Sequence, residues 1–119
     1  MKILLVDDEK ELVETLAERL SYRGIEADWA TNGEDALKRL ENKTYALAVL
    51  DVKITKISGL ELKKIMCKKY PDMKFIFMTG HGSEDDFKAG AAETGSAYYL
   101  PKPIRIELLI EKIKEVLKK

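Results

Sequence analysis

Four short apolar runs constrain this chain most: Ile3 to Val6, Ala46 to Leu50, Phe75 to Met78 and Ala97 to Leu100. None of them alternates with polar residues. A strand with one wet face reads polar at every second position, so uninterrupted runs of this length suit parallel strands covered by helices on both faces. A fifth segment, Ile25 to Ala30, does alternate, with Ile25, Ala27 and Trp29 apolar, and fits an edge strand on which Trp29 is a packing residue.

Between the runs, apolar residues recur at helical spacing. Leu12, Val13, Leu16, Ala17 and Leu20 form one stripe, and Leu60, Ile65 and Met66 contribute to another. Leu109, Ile113, Val116 and Leu117 form a third. Asp8-x-x-Glu11, Thr31-x-x-Glu34, Ser58-x-x-Glu61 and Ser83-x-x-Asp86 fit a capping box, in which side-chain oxygens meet the orphan amides of a first turn. Pro103 suits the first turn of the last helix, and Gly24 and Gly95 suit helix ends. The segment from Ser83 to Gly95 makes the weakest helix, because it has few large apolar residues and Gly90 costs up to ~1 kcal/mol relative to alanine. The pattern gives five β-α units over residues 1–119, a single α/β domain with a parallel sheet between two helical layers. Strand order cannot be read from it.

A chain of 119 residues is long enough for one sizeable core. Its 21 basic and 21 acidic residues cancel, so the basic footprint that nucleic acid demands is missing and no direct nucleic-acid partner is expected. No apolar run approaches the ~20 residues that span a bilayer, so no membrane partner is expected either. The start runs too quickly into acids for a secretory signal. Cys67, the lone cysteine, has no internal disulfide partner and reads as a helix packing residue. A cytoplasmic protein is the expectation.

The polar residues just past the apolar runs are more informative. The first run ends in Asp7-Asp8, the second in Asp51, the third in Thr79, and the fourth in Lys102. Ligands of open α/β sheets bind outside the carboxyl ends of the strands, so these groups can converge on one edge. Two unit charges ~4 Å apart repel by roughly 4 kcal/mol at an effective dielectric near 20, so three carboxylates need a cation among them. Lys102 supplies one charge, and Mg²⁺, which prefers oxygen ligands, would supply more. A carboxylate beside Mg²⁺ and an ammonium can attack phosphorus and become an aspartyl phosphate. Thr79 would donate a further hydrogen bond to the transferred group.

With those residues in place, the chain resembles the receiver domains of response regulators in two-component signalling, essentially from end to end. The resemblance rests on Leu5-Val6-Asp7-Asp8, Asn32-Gly33-Glu34-Asp35-Ala36-Leu37, Asp51 with Gly59 eight residues on, Met78-Thr79-Gly80, and Tyr99-Leu100-Pro101-Lys102-Pro103. It implies a flavodoxin-like three-layer α/β/α fold with strand order 2-1-3-4-5 and a cis Lys102-Pro103 peptide. It makes Asp51 the phosphoacceptor, and Asp8, Asp51 and the Lys53 backbone carbonyl the direct Mg²⁺ ligands, with Asp7 acting mainly through water. Thr79 and Lys102 would sense the phosphoryl group, and Tyr99 falls at the aromatic switch position.

Implied partners are a sensor histidine kinase or histidine phosphotransfer protein, and a downstream effector or output domain. The chain would act as a monomer, or as a phosphorylation-dependent dimer through its last two predicted helices, and would catalyse only its own phosphorylation and dephosphorylation. In the family, the residues two after the acceptor and two after the threonine border the path of hydrolytic water; here they are Lys53 and His81. The chain departs from the family at Ile54-Thr55, where Met-Pro is usual, at Ser58, where an aspartate usually precedes the glycine, and at Tyr98, where aspartate is common.

Two other classes fit less well. A flavin-binding domain of this architecture needs a Ser/Thr/Gly-rich loop after the first strand, whereas Asp7-Asp8-Glu9 would repel its phosphate. A phosphatase with an Asp-x-Asp nucleophile pair would need its acids spaced differently. The closer alternative is a pseudo-receiver, a protein-interaction module that is not phosphorylated. Such domains lose an acid, the acceptor or the lysine, and this chain keeps all of them.

Overall fold

The apolar runs supply strands of one sheet, the last of them through Tyr99 and Leu100. The computed structural model describes residues 2–54, 56–80 and 99–118. In chain order these form β1 (Lys2–Val6), α1 (Lys10–Tyr22), β2 (Glu26–Ala30), α2 (Gly33–Asn42), β3 (Leu47–Asp51), α3 (Gly59–Lys69), β4 (Lys74–Thr79), β5 (Tyr99–Pro101) and α4 (Ile106–Leu117). All neighbouring strands run parallel in the order β2-β1-β3-β4-β5, the order that the resemblance implies. The alternating segment is an edge strand, as its pattern predicts. The helix expected from Ser83 to Gly95, with Gly90, and the residues His81 and Tyr98 lie outside the described residues.

Uninterrupted apolar runs are needed because successive strand residues serve opposite cores. Leu4, Val6, Ala48, Leu50 and Phe77 pack with Ala36 and Leu40 of α2 and Leu62 and Met66 of α3. Their neighbours Ile3, Leu5, Val49, Ile76 and Met78 face Val13, Leu16 and Leu20 of α1 and Leu109, Ile113 and Val116 of α4. Trp29 packs half-buried at the sheet edge against the second core, and Cys67 packs half-buried on α3 against the first. The α3 stripe is carried by Leu62 and Met66, one turn apart, while Ile65 points outward. That is a correction to the predicted stripe.

Helix ends obey the local chemistry with two shifts of register. The capping box expected at Asp8 does not form: α1 has Glu9 at its N-cap, with no side-chain cap, and Asp8 is committed to an acidic cluster at the sheet edge. The cap expected at Thr31 lies one residue later, where the Asn32 side chain accepts the Asp35 N–H at 2.8 Å. Gly33 then becomes the first helical residue, a position where any Cβ would run into Ile57. The Ser58 cap forms as predicted, its Oγ accepting the Glu61 N–H at 3.1 Å. Gly24 ends the first helical segment at φ +79°, a conformation that favours glycine. Pro103 lies outside the first turn of α4, which starts at Ile106, and instead succeeds Lys102 through a cis peptide.

Gly59 opens α3 with its N–H donated to the Val52 carbonyl at 2.9 Å, so the helix starts directly against the end of β3. A Cβ there would collide with the Asp51 carbonyl. Gly59→Ala is therefore expected to lower unfolding free energy by about 1–3 kcal/mol, the usual cost of overpacking against groups that cannot move aside. Urea denaturation measures it; a midpoint equal to that of the wild type would contradict this packing argument.

Candidate functional site

Parallel pairing decides which side chains meet. Val6 of β1 pairs with Leu50 of β3, so Asp7 and Asp51 are the next residues along two adjacent strands. The strand alternation puts both on the side of Leu5 and Val49, facing α1 and α4. Both are buried, Asp7 completely, and they are the two buried charged residues among the described residues. Asp8 is exposed beside them, and one carboxylate oxygen from each of Asp7, Asp8 and Asp51 lies within 4.8 Å of the others.

Lys102 lies just past β5 and reaches back across the edge to these acids. Its ammonium lies 2.8 Å from Asp7 Oδ2, 3.0 Å from Glu9 Oε1 and 3.2 Å from Asp51 Oδ2. The lysine backbone is anchored as well, because its N–H donates to the Thr79 carbonyl at 2.7 Å. Two further amides serve the acids: the Glu9 N–H donates to Asp7 Oδ1 at 2.9 Å, and the Lys53 N–H to Asp51 Oδ1 at 3.3 Å. Sequence reasoning does not single out Glu9 for chemistry. Its only signal is its place as the third acid of Asp7-Asp8-Glu9, and its contact with Lys102 depends on where α1 starts.

Three acids and one ammonium leave excess negative charge in a region largely removed from water. Burial pushes the Asp7 carboxyl up to about 6, against the pull of Lys102 and the Glu9 N–H. Burial likewise raises Asp51, partly offset by Lys102. Burial alone would pull the Lys102 ammonium down, but Asp7, Glu9 and Asp51 outweigh it and hold it above its ordinary value. The directions agree: the lysine gains three partners, whereas each acid has only a share of one cation.

Asp51 and Glu9 border a cleft of about 610 Å³ that is lined also by Leu12, Lys53, Gly80, Lys102, Pro103 and Ile104. Thr79 closes β4, half-buried, on the same sheet edge. Tyr99 is not part of this cluster. Its buried ring stacks on Phe77 with centroids 5.1 Å apart and lies in the core on the α2 and α3 side of the sheet. Asp7, Asp8, Asp51 and Lys102 are thus brought together, Thr79 is tied to Lys102 through its backbone, and Tyr99 stands behind the sheet.

The sequence model of the response regulator receiver domain matches residues 3–114. A transcriptional regulatory protein of Haemophilus influenzae, a CpxR homolog, is 39% identical over 119 residues, covering 99% of this chain and 51% of that protein. The response regulator MprA of Mycobacterium leprae is 31% identical, covering 100% of this chain and 52% of the relative. The chain therefore spans about half the length of these curated relatives. Among solved structures, a CheY-like response regulator receiver domain protein from Methanospirillum hungatei superposes with a TM-score of 0.87 at 32% identity, covering 98% of this chain and 93% of the other. A receiver domain protein from Clostridium thermocellum gives 0.88 at 29% identity, covering 98% and 94%. The chain belongs to the response regulator receiver domain family of two-component systems.

Proposed function

We propose that this receiver accepts a phosphoryl group on Asp51 and converts the new charge into a conformational signal. The observation that carries this reading is the position of Asp51: a buried carboxylate at a strand end, opening onto a cleft, with the Lys102 ammonium 3.2 Å away. A carboxylate oxygen of Asp51 forms the bond to phosphorus while the bond from phosphorus to the donor breaks. With a phosphohistidine donor, the imidazole leaves with that bond's electrons and takes up a proton. Lys102 is placed to offset charge on the phosphoryl oxygens, and Thr79 to donate a hydrogen bond to them.

The acid set fits a hard divalent cation, Mg²⁺ above all. Three carboxylates offer oxygens within 4.8 Å of one another, and burial keeps Asp7 and Asp51 raised against the pull of Lys102, so a second cation would be favoured there. Asp8, Asp51 and the Lys53 carbonyl would hold it directly, with Asp7 acting through water. When bound, such an ion supplies positive charge to the transferring phosphoryl oxygens.

The donor we infer is a sensor histidine kinase or a histidine phosphotransfer protein in the cytoplasm, and the recipient of the signal is an effector or output domain. Relatives twice this length include a transcriptional regulatory protein, in keeping with such an output. The chain catalyses only its own phosphorylation and dephosphorylation. Tyr99, two residues along β5 from Pro101, which pairs with Thr79, is the aromatic group through which a moving Thr79 would be felt. A pseudo-receiver is disfavoured because acceptor, acids and lysine are all present in contact.

Two outcomes are expected. With acetyl phosphate and Mg²⁺, the wild type gains about 80 Da by intact mass and Asp51→Asn does not, because an amide is a poor nucleophile; full labelling of the variant would remove Asp51 from the role. The second concerns pH. Because Asp7 titrates near 6 when folded against 3.8 as its ordinary value, the folded state binds the extra proton. The stability this contributes is present below about pH 4 and lost as pH rises through 6, up to roughly 3 kcal/mol. Without metal, thermal stability should fall across that window, Asp7→Asn should flatten the fall, and Mg²⁺ should stabilise the wild type more at pH 7.5 than at pH 5. Equal Mg²⁺ stabilisation at both values would contradict the assignment.

A further inference from the structure

The Lys102 ammonium donates hydrogen bonds to Glu9 Oε1 and Asp51 Oδ2 and lies 2.8 Å from Asp7 Oδ2, so three carboxylates share one charge. A phosphoryl oxygen that binds this ammonium competes for it with the carboxylates already there. Asp7 is completely buried, so parting from the lysine would leave its charge away from bulk solvent. Asp51 is the group that reacts. Glu9 differs from both, since its side chain is 64% exposed and returns to water at little cost. It is also fixed in place by its backbone, whose N–H holds Asp7 and whose carbonyl accepts the Leu12 and Val13 amides at the start of α1.

We propose that Glu9 is a displaceable anionic latch on Lys102: its carboxylate occupies the place of a phosphoryl oxygen and must be pushed aside when an oxyanion enters the cleft. This rests on the reading of Asp51 as acceptor. Glu9 does not touch the reacting atoms and acts through Lys102, so it is a positioning residue. Its charge also stands on the wall of the cleft through which the donor comes. Glu9 therefore has two effects of the same sign on an anionic donor: it repels the approach and it withholds a donor hydrogen of Lys102. Atoms and electrons in the transfer are unaffected. The phosphorus-donor bond breaks as the phosphorus-Asp51 bond forms, and Glu9 exchanges its ammonium contact for water.

The test compares wild type with Glu9→Gln, which keeps the shape, and Glu9→Asp, which keeps the charge but draws it back by one methylene. Phosphorylation by acetyl phosphate is tracked by intact mass at fixed pH and saturating Mg²⁺. Glu9→Gln should raise kcat/KM by roughly two- to fivefold, the equivalent of one exposed ion pair, mainly through KM. Glu9→Asp should fall between, and the gain should shrink as ionic strength rises. A Glu9→Gln rate at or below that of the wild type overturns the proposal, and so does a gain that is insensitive to salt.

A second readout needs no transfer. Inorganic phosphate, titrated against thermal stability in Mg²⁺, should bind Glu9→Gln more tightly than wild type by a similar factor, and equal affinities overturn the latch. If the wild type takes no label from acetyl phosphate, the acceptor reading fails, while the phosphate titration still decides for or against Glu9.

Discussion

Everything at this sheet edge depends on one ammonium shared among acids that the fold has taken out of water. Asp7 and Asp51 lie side by side because β1 and β3 are parallel neighbours in register, and the helices that cover the sheet remove the solvent that would screen them. Two adjacent buried carboxylates are tolerable only with a cation between them. Lys102 is that cation in the folded chain, held at the end of β5 by the Thr79 carbonyl. Its pull on Asp7 and Asp51 is outweighed by their burial, which keeps both carboxyls raised. The grouping of Asp7, Asp8 and Asp51 around a single ammonium suits the divalent ion proposed above.

The shared charge also explains why the architecture serves this chemistry. A parallel sheet delivers all its carboxyl ends to one edge, so residues up to 95 positions apart, such as Asp7 and Lys102, become neighbours. Close packing at Gly59 keeps α3 against the Asp51 backbone, and the Lys53 N–H holds one of the Asp51 oxygens. The departure from the family at Ser58 is absorbed locally. The family's aspartate and this serine are both good N-caps, and Ser58 caps α3 through Oγ. What is lost there is a charge and not a helix end.

Much of this is legible in the sequence. Uninterrupted apolar runs of four or five residues identify four of the strands, and the alternating fifth marks the sheet edge. The polar residues after those runs identify Asp7, Asp8, Asp51 and Lys102, because burial next to a strand end leaves few other uses for them. Strand order comes only from the family likeness, since periodicity carries no information on which strands pair. The cap of α2 falls a residue later than the spacing predicts: Thr31 and Asn32 are both capable caps, and Asn32 takes the role, with Gly33 as the first helical residue beside Ile57. The cap expected at Asp8 is displaced because α1 starts one residue later, with Glu9 at its N-cap. Glu9 escapes notice because an exposed glutamate at a helix start looks like any other until the position of Lys102 is known. The helix expected between Ser83 and Gly95 lies outside the described residues.

The claim that one ammonium offsets the charge of the buried acids is tested most directly by a double-mutant cycle between Asp7 and Lys102 in metal-free protein near neutral pH. Lys102→Met alone should destabilise strongly, since it strands buried charge. In an Asp7→Asn background the same substitution should cost much less, giving a coupling above about 1 kcal/mol by urea denaturation. Additive effects, with no coupling beyond about 0.5 kcal/mol, would show that the lysine does not carry the acids' charge and would contradict the account.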